Sequence, residues 1–379
     1  MKKVFLTTIT LLSMASASVF GMYGVDTDWI FFLTHGNQFR ARLDQLGFTL
    51  GNDTIKGTFG FDNNMGFGGT YGGLLVDNDG THYSFVPSIS MGLAYTSSLI
   101  SVGVGYNATV GSHTQKYNGK TEPKTVNKSA HTPVLVLNAM DNAFRMAIPI
   151  QVYVDNDKFD GGGYDNKMAV SVDSQFRYYT GLDALPQVRL FLRYGLYQNE
   201  SKLTKDAEKV KTKYGESFGF DFRLYFGSMV EEVALQPLVR LAYDGALGNY
   251  HANTRIQAVK AMNGDYATVS YGGGVWNLTL MTGLGLTANS DIVSLYLEPQ
   301  LGLQVTRKAP TTSPDAGGAP TPAAIASDSY GLVYNVYAEI YITPLKNLEW
   351  YFEAQLGSDT GTIFGFNGTT GITWYLPAL

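Results

Sequence analysis

The chain has 379 residues and no cysteine, with 27 basic residues against 32 acidic ones. The lack of cysteine excludes a disulfide scaffold, and the net charge of −5 argues against nucleic acid as a partner. Only 16% of the residues are charged, whereas Gly (43), Tyr (25) and Phe (21) are abundant. This composition suits a chain with lipid on one side and water on the other.

Residues 1–21 predict a secretory signal peptide. Lys2-Lys3 form a basic start, an apolar stretch covers Val4–Met14, and small residues follow. We expect cleavage after Gly21, with cleavage after Ala17 as the alternative. The mature chain then has 25 basic against 32 acidic residues, a net charge of −7. No later stretch is apolar over the ~18–20 residues that a transmembrane helix needs.

Residues 22–50 form an N-terminal segment with two interpretations. Apolar residues from Trp29 to Leu46 recur at the i, i+3, i+4 and i+7 spacing of an amphipathic helix. Gly36-Asn37 interrupts that spacing. The alternative is that the segment holds the first strands, the last of which ends at Leu50.

Residues 51–379 alternate apolar and polar side chains at period two, which predicts antiparallel strands. The clearest pair is 276–287 with 293–305, and each arm reaches the ~9–11 residues that a tilted strand needs to cross a bilayer. The other predicted strands are 55–61, 84–96, 99–111, 132–139, 144–155, 167–179, 187–198, 216–226, 235–244, 331–343, 348–357 and 363–376.

The connections between these strands alternate in length. Short breaks lie near 97–98, 140–143, 180–186, 228–233, 288–291 and 344–347. Long polar ones lie at 62–83, 112–131, 156–166, 199–215, 245–273 and 307–330. Short periplasmic turns and long extracellular loops are typical of outer-membrane barrels. We therefore predict an all-β fold, a transmembrane antiparallel β-barrel of the outer membrane, with about 14 strands. Sixteen is the alternative, if residues 39–50 and 29–33 are strands as well.

Prolines and glycines interrupt several predicted strands. Four prolines each remove a ladder donor: Pro87, Pro149, Pro237 and Pro299. We expect bulges or strand ends there, or displaced strand boundaries. Gly103-Val104-Gly105 is similar to part of a nucleotide-binding motif, but no helix follows it. Small residues on a crowded polar face are the preferred interpretation.

Nine charged residues fall on the inward, polar faces of the predicted strands. They are Arg177, Arg189, Arg193, Arg223, Arg240, Glu298, Glu339, Glu349 and Glu353. A basic wall opposite an acidic wall would place a transverse field across a water-filled lumen and select small polar solutes. The alternative is that these side chains pair with one another, or with Asp173 and Asp221, and fill the interior.

Aromatic and small residues fit the same topology. Tyrosine and tryptophan near strand ends predict interfacial girdles: Tyr95, Tyr106, Trp350, Trp374 and Tyr375. Residues 309–329 are small and Pro-rich, which predicts an exposed loop. Such a loop either displays an antigen or is a tolerated insertion. No motif predicts a catalytic, cofactor-binding or metal-binding residue, so we expect neither an enzyme nor a cofactor.

The N-terminal residues resemble the variable surface proteins of intestinal spirochaetes. The similar stretches are 22–24 (MYG), 28–30 (DWI), 32–42 (FLTHGNQFRAR), 44–48 (DQLGF) and 57–61 (GTFGF). The resemblance implies an abundant outer-membrane surface antigen, encoded among paralogues that differ in their loops. It implies no catalytic residue.

These observations predict a major outer-membrane surface protein, exposed to the host after signal-peptide cleavage. Its partners would be outer-membrane lipid and, at the loops, host antibodies or surface ligands; assembly into a homo-oligomer stays open. The first alternative is a general diffusion porin for small hydrophilic solutes. The second is a soluble secreted all-β binding protein, whose apolar faces would have to meet inside a sandwich or propeller.

Overall fold

The computed structural model is dominated by one large antiparallel sheet. The described residues are 29–42, 45–62, 88–116, 123–158, 162–230, 233–248, 254–258, 274–308, 327–359 and 362–377. The predicted signal peptide, Pro87 and most of the predicted loops at 62–83, 245–273 and 307–330 lie outside them.

A short helix precedes the strands. The helix α1 is Trp29–Phe32. The strands are β1 Gln38–Arg42, β2 Gln45–Gly51, β3 Ile55–Asp62, β4 Ser88–Tyr95, β5 Ile100–Lys116, β6 Pro123–Ala139, β7 Phe144–Lys158, β8 Tyr164–Tyr179, β9 Gln187–Lys202, β10 Val210–Tyr225, β11 Ser228–Val230, β12 Val233–Ala246, β13 Trp276–Asn289, β14 Val293–Lys308, β15 Ser327–Leu345, β16 Leu348–Asp359 and β17 Thr362–Tyr375.

The sheet closes on itself. Neighbouring strands pair in antiparallel order, and β1 pairs both with β2 and with the last strand, β17, where Phe39 lies opposite Trp374. The short β11 continues β10 beyond Phe226-Gly227, and both segments pair with β12. The result is a closed antiparallel barrel with 16 strand positions.

The barrel has 16 strands because the segment 38–51 supplies β1 and β2. The 16-strand interpretation placed its additional strand near Trp29–Leu33, and that detail is wrong, since Trp29–Phe32 is helical. The sheet also begins at Gln38, earlier than residue 51. With five residues, β1 is too short for period-two alternation to be told apart from helical spacing.

The outside of the barrel is apolar and the inside polar. Exposed side chains on the outer face include Phe39, Phe59, Met91, Leu93, Val104, Leu280, Leu301 and Leu303. Buried side chains on the inner face include Thr49, Ser90, Asn107, Gln151 and Thr287. Of the predicted girdle aromatics, Tyr95, Tyr106, Trp350 and Trp374 are exposed, whereas Tyr375 donates to the inward carboxylate of Glu349. This inversion of the usual arrangement in soluble proteins is the pattern of a lipid-facing barrel.

Three hairpins extend further than apolar alternation predicted. The ladder of β5 and β6 continues to Lys116 opposite Pro123, where the sequence indicated a loop over 112–131. The hairpins of β7 with β8, and of β9 with β10, are extended in the same way. Their outer parts are polar stretches joined by backbone hydrogen bonds, so they lack the apolar face that a sequence pattern detects.

The prolines coincide with local gaps in pairing. Beside Pro149 the ladder between β7 and β8 skips from Ala147 to Ile150 without a change of register. Beside Pro299 the ladder between β13 and β14 skips from Gly283 to Leu286. Pro237 faces the break between β10 and β11. Each of these prolines therefore lies beside an interruption in one of its two ladders, in keeping with the expected strand interruptions.

Asn37 joins the residues after β17 to the end of β2. Its Nδ2 donates to the carbonyl oxygens of Gly51 (2.9 Å) and Pro377 (2.8 Å), and its Oδ1 accepts from the Gly51 amide (2.8 Å). The Leu376 amide donates to the Asn37 carbonyl (2.8 Å).

We expect Asn37→Ala to lower the free energy of unfolding by about 1–3 kcal/mol, because it leaves polar backbone groups without their partners. Urea unfolding of the refolded barrel in detergent micelles measures this loss. The control is Asn52→Ala, which removes a similar amide from an exposed turn where water can replace it. Equal losses in both variants would contradict a role of Asn37 in closing the barrel.

Candidate functional site: the charged lumen wall

Five arginines lie side by side on the inner wall. The ladders place Arg145 opposite Arg177, Arg177 opposite Arg189, Arg189 opposite Arg223, and Arg223 opposite Arg240. We call these residues the arginine row. Like charges directly opposite each other in a sheet are destabilising, and buried charges need partners. The row therefore requires compensation from the groups around it.

Three aspartates supply that compensation on one side. Asp221, fully buried, accepts hydrogen bonds from Arg223 (2.8 and 2.9 Å) and from Arg240 (3.0 Å), and lies 3.7 Å from Arg193. Arg193, two inward positions beyond Arg189 on β9, also lies near Asp173 (3.5 Å) and Asp244 (3.1 Å). On this side of the row, the arginines pair with aspartates inside the barrel, as the second interpretation of the inward charges expected.

Aromatic rings contact the other end of the row. The guanidinium of Arg177 lies 4.3 Å from the ring centre of Phe31, and that of Arg145 lies 5.5 Å from it. Arg145 also lies 4.8 Å from the Tyr179 ring, and Arg189 4.5 Å from the Tyr225 ring. Within the described residues, no carboxylate is within ion-pair distance of Arg145 or Arg189.

The predicted glutamates form a second wall whose hydrogen bonds come from tyrosines. Glu339 lies opposite Glu353 in the ladder, and the hydroxyl of Tyr337 donates to both, at 2.8 Å to Glu353. Glu298 accepts from the hydroxyl of Tyr296 and from Gln300 (2.6 Å). Glu349 accepts from Tyr375 (2.9 Å).

Glu298, on β14, is the glutamate nearest to the arginine row in the strand order, two strands away from Arg240 on β12. The remaining glutamates lie on β15 and β16, away from the arginine row in the strand order.

The N-terminal segment lies inside the barrel. Trp29, Ile30, Phe31 and Phe32 of α1 are all buried and pack against inner residues of β6 and β7, such as Val136. We call Trp29–Leu33 the plug. The ammonium of Lys56 donates to the carbonyl oxygens of Leu33 (2.9 Å) and His35 (2.5 Å), which anchors the plug where it leads into β1. Burial, and then the charge of Arg40, lowers the pKa of His35 well below its usual value.

Inward glycines create the space that the plug occupies. A Cβ atom added to Gly105 would lie 2.5 Å from the Trp29 ring, and one added to Gly92 would lie 2.6 Å from it. A Cβ atom on Gly103 would come within 3.3 Å of both Phe32 and Leu33. The Gly103-Val104-Gly105 stretch thus provides a smooth wall for an aromatic ring, in agreement with the crowded-face interpretation.

Part of one long connection lies inside the lumen, although the sequence predicted that the long loops face outward. Residues 254–258 lie on the inner wall, where the amide of Ile256 donates to the Ser217 hydroxyl (2.9 Å). The amide of Ala258 donates to the Ser171 hydroxyl (2.8 Å), and Arg255 forms an ion pair with Asp173. A Cβ atom on Gly195 would lie 2.3 Å from the Ile256 carbonyl oxygen, so this glycine permits the close approach.

We expect the double variant Ser171→Ala/Ser217→Ala to release residues 254–258 from the wall, because two buried backbone amides lose their acceptors at about 1–3 kcal/mol each. Limited trypsin digestion followed by fragment sequencing should show faster cleavage after Arg255. Ser101→Ala is the matched control, since Ser101 bonds only within the turn around Ser97. An unchanged cleavage rate would mean that the apolar contacts of Ile256 suffice to hold the segment.

Sequence reasoning missed several contributors to this site. Arg145 could have been found, because it lies in the predicted strand 144–155 and pairing that strand with 167–179 places it opposite Arg177. Arg255 and Phe31 carry none, since neither belongs to a strand and both reach the wall through tertiary contacts. Asp244 lies at the end of a predicted strand and was left out.

Within the described residues, no helix has both the length and the apolar character needed to span a membrane. In the same part of the chain, no group of three or more histidine or carboxylate side chains is arranged to hold a metal ion.

The chain matches a known sequence family over nearly its whole length. The family profile described as "Serpulina hyodysenteriae variable surface protein" aligns with residues 2–375. A search of curated protein sequences gives no match.

Several solved structures are similar to the barrel. The translocator domain of the autotransporter NalP from Neisseria meningitidis has 14% identity, covers 74% of this chain and 90% of its own, with a TM-score of 0.33. CdiB from Acinetobacter baumannii has 10% identity, with 89% and 59% covered and a TM-score of 0.36. The ferric-catecholate import receptor Fiu from E. coli K12 has 11% identity, with 90% and 56% covered and a TM-score of 0.37. The chain thus spans less than two thirds of the latter two proteins.

Proposed function

Because the chain belongs to the Serpulina hyodysenteriae variable surface protein family, we propose that it is a surface antigen whose outer loops meet the host and its antibodies. The family membership carries this proposal, together with the closed barrel whose apolar outer face suits the outer membrane. The extended hairpins add support, because they place polar chain beyond the apolar band at the end of the barrel where the long connections lie.

An antibody raised against a peptide of residues 309–326, the connection between β14 and β15, tests this role. We expect it to label intact cells. An antibody against residues 180–186, the short turn between β8 and β9, should label cells only after the outer membrane is opened. Labelling of intact cells by neither antibody, or by the turn antibody alone, would refute surface display of the long loops.

A diffusion pore for small hydrophilic solutes is the second proposed function, and the two roles are compatible in one molecule. The observation that favours it is the charged inner wall, in which the arginine row on β7 to β12 and the tyrosine-bound glutamates on β14 to β16 line the same lumen. Neither role needs a catalytic residue or a cofactor. Outer-membrane lipid is the partner that both roles require.

We expect Arg189→Gln/Arg193→Gln to raise the cation permeability of the pore and to lower its anion permeability. Each lost charge at ~10 Å in water changes the energy of an ion by roughly 0.4 kcal/mol, so each permeability changes by about fourfold and their ratio by about 16-fold. Reversal potentials in planar bilayers under a salt gradient measure this shift. Arg307→Gln is the control, because Arg307 pairs with Asp328 at the outer end of the barrel and is screened by salt. An unchanged preference in the double variant would refute the transverse-field role.

A further inference from the structure

The arginine row is neutralised differently along its length. Arg223 and Arg240 bind the carboxylate of Asp221. Arg145 and Arg189 are each 7% exposed, yet within the described residues they have no carboxylate partner. Arg145 Nη1 and Arg189 Nε also make no hydrogen bond. Buried guanidinium donors of this kind mark a place where an acceptor of negative charge would bind favourably.

Phe31 covers this end of the row. Its ring faces the guanidinium groups of Arg145 and Arg177, and the only negative charge it offers is the partial charge of its π face. An oxyanion forms charge-assisted, often bidentate hydrogen bonds with arginine, which are stronger than a cation–π contact. The ring therefore occupies a position that an anion would fill better.

We propose that Arg145, Arg177 and Arg189 form a binding site for a multiply charged oxyanion, and that the ring of Phe31 occupies the part of this site formed by Arg145 and Arg177. The three residues are direct neighbours across two ladders, so their Cα atoms follow one another at ~5 Å intervals. This spacing suits a phosphate-like or polycarboxylate group with oxygens on several sides. The proposal rests on the proposed access of solutes to the lumen.

Anion binding and seating of the plug exclude each other at this site. Thermodynamic reciprocity then requires that an anion which displaces Phe31 also loosens the rest of the plug, including Trp29. The site would thus couple the solute in the lumen to the opening of the barrel. The plug is a short segment held by its aromatic packing and by Lys56, so its displacement leaves the barrel ladder intact.

The test uses Trp29 as the only tryptophan, in the full chain carrying Trp276→Phe, Trp350→Phe and Trp374→Phe. Acrylamide quenching of Trp29 is measured in detergent micelles while sodium pyrophosphate replaces sodium chloride at constant ionic strength. We expect the quenching constant to rise about twofold or more as the plug leaves its seat. Arg145→Gln and Arg189→Gln should each abolish this rise. Arg240→Gln, in the same row but bound to Asp221, should retain it.

Calorimetry on Phe31→Leu provides a second measurement. Leucine keeps an apolar side chain in the plug but removes the ring, so we expect pyrophosphate to bind about tenfold more tightly than to the unsubstituted protein. A shift in electrophoretic mobility when the sample is heated, as in the unsubstituted protein, shows that the variant is folded. A folded Phe31→Leu protein that binds no pyrophosphate would overturn the site. Binding that leaves Trp29 quenching unchanged would overturn the competition with the plug.

These outcomes are separable from the pore function. If the protein conducts in potassium chloride but binds no pyrophosphate, the pore function is supported and the anion site is refuted. If it binds pyrophosphate in micelles but passes no current in bilayers, the anion site is supported and the pore function is refuted.

Discussion

Asp221→Asn is expected to destabilise the barrel by about 3–5 kcal/mol, the largest loss from any single change in the lumen wall. The carboxylate of Asp221 is fully buried and lies within ion-pair distance of Arg193, Arg223 and Arg240. Asparagine is nearly the same size but brings no charge, so three guanidinium groups would lose their shared counter-ion. The unfolding free energy in urea, measured in detergent micelles, should show this loss.

Asp244→Asn is the matched control for this substitution. Among the described residues Asp244 forms an ion pair with Arg193 alone, and its side chain retains 22% of its exposure to solvent, so we expect a loss of about 1 kcal/mol or less. Removing one cation as well, in Asp221→Asn/Arg240→Gln, should restore part of the stability. Equal losses for Asp221→Asn and Asp244→Asn would show that water in the lumen, and not Asp221, neutralises the arginines.

Gly105→Ala is expected to expel the plug and to raise the single-channel conductance. The added Cβ atom would lie 2.5 Å from Cζ3 and 2.6 Å from Cη2 of Trp29, whose ring is 1% exposed and held between the wall and Phe32. Overpacking of this kind costs about 1–3 kcal/mol. A change of that size shifts the balance between seated and released plug by roughly 5- to 150-fold.

Two controls test whether the plug limits the conductance: a glycine-to-alanine substitution away from the plug, and removal of the Trp29 ring. A Cβ atom on Gly57 would have no neighbour closer than 3.8 Å, so Gly57→Ala should leave the conductance unchanged. Trp29→Ala should raise it, and adding Gly105→Ala to that variant should have no further effect. Unchanged conductance in both Gly105→Ala and Trp29→Ala would mean that another part of the lumen limits the current.

The charged residues of the lumen have two kinds of neighbours, depending on their position in the barrel. Where Asp221 and Asp173 lie beside arginines, the charges stabilise the wall of a barrel whose interior also receives residues 254–258. Elsewhere on the wall, Tyr296 donates to Glu298, Tyr341 donates to Glu339, and aromatic rings face Arg145. Mutual pairing of the inward charges is therefore found in one arc of the wall, and the proposed pore role rests on the other.

The barrel and most of its hairpins follow from local features of the amino-acid sequence. Period-two alternation is a local property, so it identified strands such as 276–287 with 293–305, and short breaks such as Ser97-Ser98 joined the correct neighbours. It also placed Arg177, Arg189 and Arg223 on one face, because parity along a strand decides the side of the sheet. The resemblance in the first 61 residues pointed to the family that the whole-chain match shows.

What fills the lumen depends on contacts between residues that are far apart in the chain. The five residues of β1 pair with β17 across more than three hundred positions, a contact that no local pattern carries. Whether Trp29 would lie in the wall or inside it depended on the space left by Gly92 and Gly105 on other strands. The entry of residues 254–258 likewise rests on single hydrogen bonds to Ser171 and Ser217. These contacts join residues distant in sequence, and periodicity records only the neighbours within one strand.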